Sequence, residues 1–175
     1  MISDQERQRR KHVCLLHLKI YVEHQEHDTH LFRNLVDSWY AYDRGGPLLH
    51  KSGRPKWLNN PDPAKKGDML RFMTYKSVEA MKRINGDVPG RVVKDHVIPL
   101  SRLEKIVCEN PDASIEAIEE ALRRCYRVAI ITKEEHDRLS GEGHRTMMPG
   151  NWKNADNPFV RYHAADIQLH GDPAL

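Results

Sequence analysis

The chain has 175 residues, 39% of them hydrophobic and 30% charged, and a formal net charge of +3. That length suits one domain with a real core and excludes two large ones. No apolar run approaches the ~20 residues needed to cross a bilayer. The opening Met-Ile-Ser-Asp-Gln-Glu-Arg has no hydrophobic stretch of the signal-peptide kind, so a cytoplasmic location and no membrane partner are expected. The mild positive charge permits a polyanionic partner without demanding one. Three cysteines, Cys14, Cys108 and Cys125, are widely spaced and odd in number. They exclude a disulfide framework and a Cys-x-x-Cys zinc ribbon, and read as buried free thiols.

Residues 4 to 42 carry Val13, Leu16 and Ile20, then Leu31, Leu35 and Trp39, at helical spacing, with Phe32 and Val36 beside the second set. The pattern predicts two helices or one bent helix, with Asp28-Thr29 as the break and cap. Such stripes serve a core or a partner helix, and a homodimer through this region is one use of them. His24, His27 and His30 fall at three-residue steps beside Glu23, Glu26 and Asp28. That spacing can place ligands on one helix face, although a solvated polar face is the simpler reading.

Residues 43 to 68 are rich in glycine, proline and asparagine and predict a long loop. The loop carries Arg44, Lys51, Arg54, Lys56, Lys65 and Lys66 around Trp57. Basic side chains about an aromatic suit a nucleic-acid backbone and a stacked base. An ordinary solvated loop accounts for them more simply.

A short helix is expected over 75–85, stopped by Asn85-Gly86. Arg91 to Ile98 is a β-branched run that predicts a strand ended by Pro99. Ser101 to Val107 and Ser114 to Arg124 predict two helices, the second opened by Asp112-Ala113-Ser114 and striped with Ile115, Ile118 and Leu122. Tyr126 to Ile131 predicts a second, buried strand. Thr132-Lys133-Glu134-Glu135 has the capping-box pattern, so a helix is expected from Lys133. From Gly141 onward an irregular tail is expected, with Pro149, Trp152, Pro158 and Phe159 packing back on the domain.

Chemistry concentrates in two places: Lys94-Asp95-His96-Val97-Ile98-Pro99-Leu100, and His136 in the first turn of the capped helix. Asp95 and His96 are neighbours on a strand, so their side chains take opposite faces where the strand is regular. Pro99 ends pairing nearby, and a bend there would let both residues address one cleft. An antiparallel pairing of the two strands, with the helix folded back across them, would bring His136 toward Asp95.

Asp-His-Val-Ile-Pro-Leu-Ser, followed by Val-Ala-Ile-Ile-Thr-Lys-Glu-Glu-His-Asp-Arg-Leu, resembles the His-Asn-His (HNH) nuclease superfamily over residues 91 to 140. The core of that superfamily is a ββα-metal finger, here interrupted by a helical insertion. The resemblance implies that Asp95 and His136 hold one divalent metal ion and that His96 is the general base activating water. A carboxylate and an imidazole can together hold Mg²⁺, Mn²⁺ or Zn²⁺, with Mg²⁺ and Mn²⁺ favoured, and leave positions open for phosphate and water. An imidazole of unperturbed pKa ~6.5 suits a base near neutral pH. His144, from the loop beyond, is a further candidate ligand.

The chain departs from the family pattern, and the cysteine pairs that often buttress such fingers are absent. Arg127 stands where the asparagine would precede the second strand, and position 140 is a serine rather than a second helix histidine. Lys94, Arg127, Arg138, Arg145, Arg54 and Lys56 are candidate nucleic-acid contacts, and Arg161 could add a guanidinium fork from the tail.

The expected architecture is therefore α+β: a mainly helical single domain around a ββα-metal finger with a helical insertion between its two strands. Its parts are an N-terminal helical region (1–42), a basic loop (43–68) and a nuclease-like core with its tail (69–175). The expected function is metal-dependent hydrolysis of phosphodiester bonds in nucleic acid, DNA ahead of RNA. Two alternatives stay open: a catalytically degenerate binding or interaction module on the same fold, and a structural zinc role for the histidines.

Overall fold

The computed structural model describes residues 2–56, 63–110, 112–154 and 156–171. The elements are α1 (Asp4–Glu23), α2 (Thr29–Arg44), a 3-10 turn (Gly46–Leu48), α3 (Pro63–Phe72), β1 (Tyr75–Ser77) and α4 (Val78–Asn85). After them come β2 (Val92–His96), α5 (Leu100–Cys108), α6 (Ile115–Cys125), β3 (Val128–Thr132), α7 (Lys133–Gly141), α8 (Val160–Ala164) and β4 (Leu169–His170). The chain is α+β, with helices around a small mixed sheet. It divides into two compact units: Met1–Trp57 with Leu100–Tyr126, and Leu58–Pro99 with Arg127–Leu175. The segment that separates the two central strands in sequence thus groups with the N-terminal helices, and the strands group with the tail.

The first unit is helical. Asp28 caps α2 by accepting hydrogen bonds from the His30 and Leu31 N–H groups, at the break expected from the sequence. That break puts His24 just past the end of α1 and His27 and His30 beyond it, so the three histidines do not share one helix face. Both faces of α1 carry apolar residues, and the buried one holds Leu15, Leu18, Tyr21 and Val22. The face picked out by Val13, Leu16 and Ile20 is the exposed one, with Ile20 52% accessible. On α2 the core residues are Phe32, Val36 and Trp39, while Leu31 is exposed. Ser114 caps α6, whose Ile118, Ala121, Leu122 and Cys125 are buried. Lys11 on α1 pairs with Glu119 on α6 at 2.8 Å.

The second unit is built on a four-stranded sheet in the order β2-β3-β1-β4. β2 and β3 are antiparallel, from Val92 opposite Thr132 to His96 opposite Val128. β1 runs parallel to β3 and antiparallel to β4. Three expectations are corrected here. The helix expected over 75–85 begins at Val78, because Tyr75–Ser77 pairs with β3 and Ser77 serves as N-cap. The loop expected to run to residue 68 is helical from Pro63. The tail contains a helix and a strand, with Phe159 and Tyr162 fully buried in the core of this unit. Trp57 lies outside the described residues, as do the side chains of Lys65 and Lys66.

Parallel pairing brings the ends of β1 and β3 side by side, and each strand passes at once into a helix. One buried carboxylate serves both starts. Thr132 Oγ1 accepts from the Glu135 N–H at 3.1 Å, and Glu135 Oε2 accepts from the Thr132 N–H at 2.7 Å, completing the capping box expected from sequence. The same Oε2 accepts from the Ser77 hydroxyl at 2.6 Å, whose oxygen accepts from the Ala80 N–H and caps α4. A negative charge at two helix N-termini is doubly favourable, and hydrogen bonding satisfies it despite burial. Glu135→Ala should therefore lower the free energy of unfolding by ~2–3 kcal/mol, since it strips a partner from two buried donors. Ser77→Ala should cost ~1 kcal/mol. Urea titration followed by circular dichroism measures both.

Candidate functional site

Strand β2 ends in the Asp95-His96 pair, and the strand is regular there. Both residues are in register with β3, and the Val97 N–H still donates to the Arg127 carbonyl at 2.9 Å. The bend expected near Pro99 therefore does not reach His96. Strand alternation puts Val93 and Asp95 on one face and Lys94 and His96 on the other. The Asp95 face packs on the core of this unit, and Val92 is buried on the other face. Val93 and Val97 join Ala129 and Ile131 of β3, Leu139 of α7 and Tyr162 of α8 in one apolar cluster. Asp95 is 8% exposed within this setting.

A buried carboxylate needs compensation, and Asp95 receives it from the tail. Its Oδ2 accepts hydrogen bonds from the Arg161 guanidinium and from the Tyr162 hydroxyl. Arg161 has 0% exposure, and its five N–H groups are engaged. Nε donates to the Val97 carbonyl at 2.9 Å, and Nη2 also donates to the His96 carbonyl. Nη1 donates to the His144 carbonyl at 2.8 Å and, more weakly, to that of Arg145 at 3.5 Å. One guanidinium thus clamps three consecutive residues at the end of β2 to the loop that follows α7. The Tyr162 hydroxyl is held well above its ordinary pKa, first by burial and then by the negative charge of Asp95.

The loop reaches Arg161 because α7 stops cleanly. Gly143 adopts φ +76°, a left-handed conformation natural to glycine, and its N–H donates to the Ser140 carbonyl. The His144 N–H then donates to the Leu139 carbonyl at 2.8 Å. These two bonds make a Schellman turn, which aims the following carbonyls back toward α8.

His136 is half-buried in the first turn of α7. Its Nδ1 is buried with no hydrogen-bond partner, and the Asp137 carboxylate at 3.9 Å is too distant to serve as one. His144 contributes its backbone to the Arg161 clamp, and its imidazole is partly exposed. Among the described residues no group of three or more His, Cys, Asp and Glu side chains is placed to hold a metal ion.

The unpartnered Nδ1 of His136 is a donor that a cation could take. Asp95 Oδ2 already accepts from Arg161 and Tyr162, so the ligand role the resemblance implies would set a metal beside a fixed guanidinium. Of the candidate phosphate contacts, Arg138 and Arg145 are exposed, as is Arg54, whereas Lys94, Arg127 and Lys56 are partly buried. Arg161 is turned fully inward, which corrects its expected role at the surface. Arg161 and Tyr162 are the residues that sequence reasoning did not join to Asp95; nothing local in Phe159-Val160-Arg161-Tyr162 marks them as its partners.

Comparison of the chain with protein-family models, with curated proteins and with solved structures finds no match in any of the three. No helix among the described residues is long and apolar enough to cross a membrane.

The buried tyrosine makes the site sensitive to alkali. Tyr162 keeps its proton in the fold, while the unfolded chain loses it near the ordinary value of 10.0. Above that pH the unfolded state binds fewer protons than the native state, so stability falls as pH rises and is intact below it. Urea midpoints measured from pH 8 to 11 should decline above pH 10, and Tyr162→Phe should flatten the decline. Tyr126 of the first unit, also buried and beside Asp37, contributes a separate part of it.

Proposed function

We propose that the protein is a phosphodiester hydrolase acting on nucleic acid, DNA ahead of RNA, with His96 as the residue that takes the proton from an attacking water. The observation that carries this reading is the passage of the antiparallel β2–β3 pair directly into a capped helix. That order has Asp95-His96 at the end of one strand and His136 in the first turn of the helix. In this reading the three elements are an HNH-type finger, and the helices between the strands are an elaboration of it.

On the face of β2 away from the apolar cluster, His96 and Lys94 stand two residues apart and side by side. A neutral imidazole there can accept a proton from water, and an ammonium on the same face attracts the phosphate that water attacks. Arg138 and Arg145 supply exposed guanidinium groups, which suit bidentate contact with a phosphate backbone.

A second reading is favoured by a specific observation. The Asp95 carboxylate is already compensated by Arg161, and Arg127 stands where the family has asparagine, as in a non-catalytic nucleic-acid-binding or interaction module.

A plasmid-nicking assay with and without Mg²⁺ or Mn²⁺ separates the two. The hydrolase reading expects conversion of supercoiled to nicked DNA, a loss of ~10²-fold or more in rate for His96→Ala, and an unchanged circular dichroism spectrum for that variant. DNA binding that weakens steeply with salt, without cleavage, would support the binding module. Neither cleavage nor binding of DNA or RNA would sink both.

A further inference from the structure

We infer that Arg161 is the resident cation of the Asp95 centre: its guanidinium takes the charge-compensating place that the family resemblance gives to a divalent metal, and Asp95 is a positioning residue. The inference rests on the hydrolase reading only for the identity of His96 as the reacting group.

Arg161 is wholly buried and pairs with the anionic Asp95, at 0% and 11% side-chain exposure respectively. A divalent ion on the same carboxylate would sit against a positive charge that cannot leave for solvent. At such separations in a weakly screened interior, like-charge repulsion strongly disfavours the second cation. The Tyr162 hydroxyl donates to the same oxygen, and Arg161 Nη2 also donates to the Tyr162 oxygen at 3.1 Å. The three groups meet at the single oxygen Oδ2 of Asp95.

The guanidinium shape matters as much as its charge. It reaches the carbonyls of His96 and Val97 on one side and of His144 and Arg145 on the other while holding Asp95. A lysine ammonium has three donors on a single atom and cannot span both sets. Because the His96 carbonyl is one of the acceptors, Arg161 fixes the backbone from which the His96 imidazole projects. Asp95 acts at one remove, by holding the guanidinium that holds His96.

Full-length wild type, Asp95→Asn, Arg161→Gln, Arg161→Lys and the Asp95→Asn/Arg161→Gln double variant provide the test. Thermal midpoints are read with EDTA and with Mn²⁺, and Mn²⁺ binding is read by electron paramagnetic resonance. The wild-type midpoint should move by less than ~1 °C between EDTA and Mn²⁺, since no ion binds the native state at Asp95. Asp95→Asn should leave any Mn²⁺ bound by wild type unchanged. Arg161→Gln should lower the midpoint by ~10 °C and gain Mn²⁺ binding that the double variant loses. Arg161→Lys should restore only part of the midpoint.

Wild-type protein whose Mn²⁺ binding and stabilisation are abolished by Asp95→Asn would overturn the inference. Should either single variant fail to fold, the wild-type midpoint with EDTA and with Mn²⁺ still decides it. These readouts need no cleavage, so a wild type that cuts nothing sinks the hydrolase reading and leaves this one standing. A wild type that cuts DNA but binds Mn²⁺ through Asp95 does the reverse.

Discussion

A guanidinium cut off from water must find an acceptor for each of its N–H groups and a negative charge for its own, or the fold that buries it is lost. In the second unit this demand organises the neighbourhood of Asp95. The end of β2 supplies a carboxylate and two carbonyls, and the loop after α7 supplies two more carbonyls. Helix α8, which carries Arg161, has five residues and could not persist alone. Its place is secured by Tyr162 and by Phe159 just before it, whose ring packs 4.9 Å from that of Tyr75. Apolar burial holds the helix, and the polar clamp sets its register against β2.

The same unit contains a second buried carboxylate with a different solution. Glu135 is satisfied by a backbone N–H and a hydroxyl at helix starts. The antiparallel register places these two polar centres at opposite ends of the β2–β3 pair, since Thr132 lies opposite Val92 and Val128 opposite His96. Helix α7 is thereby fixed at both ends: its N-terminus by the capping box, its C-terminal turn by carbonyls that Arg161 holds. A helix of nine residues with a strongly polar surface gains its fixed orientation from these anchors and from Leu139, the residue it commits fully to the core.

What the sequence made legible follows from the range of the interactions concerned. Caps act over two or three residues, so Asp28, Ser114 and the Thr132–Glu135 box could be read directly and stand where expected. The β-branched runs at β2 and β3 were legible for the same reason. β1 and β4, with three and two residues, are too short to display a period and exist through their neighbours. On α1 two apolar stripes compete, and only packing selects the one at Leu15, Leu18 and Val22. The link from Asp95 to Arg161 spans 66 positions and leaves no local trace, so the place of Asp95 on a strand could be read from sequence but the partner of its carboxylate could not.

The distance along the chain between Asp95 and Arg161 also imposes an order of events. During synthesis the strand end emerges first, followed by the two helices that join the other unit, and only then by β3, α7 and the tail. Loop closure over such separations is slow compared with forming a helix or a local turn. The Asp95 carboxylate must therefore stay hydrated until its counter-charge has been made, and this end of β2 cannot become dry before the tail arrives. The β2–β3 pair can close first at Val92 and Thr132, where the cap is local, and last at His96. The candidate catalytic histidine stands beside a charge pair that can close only after the tail has been made.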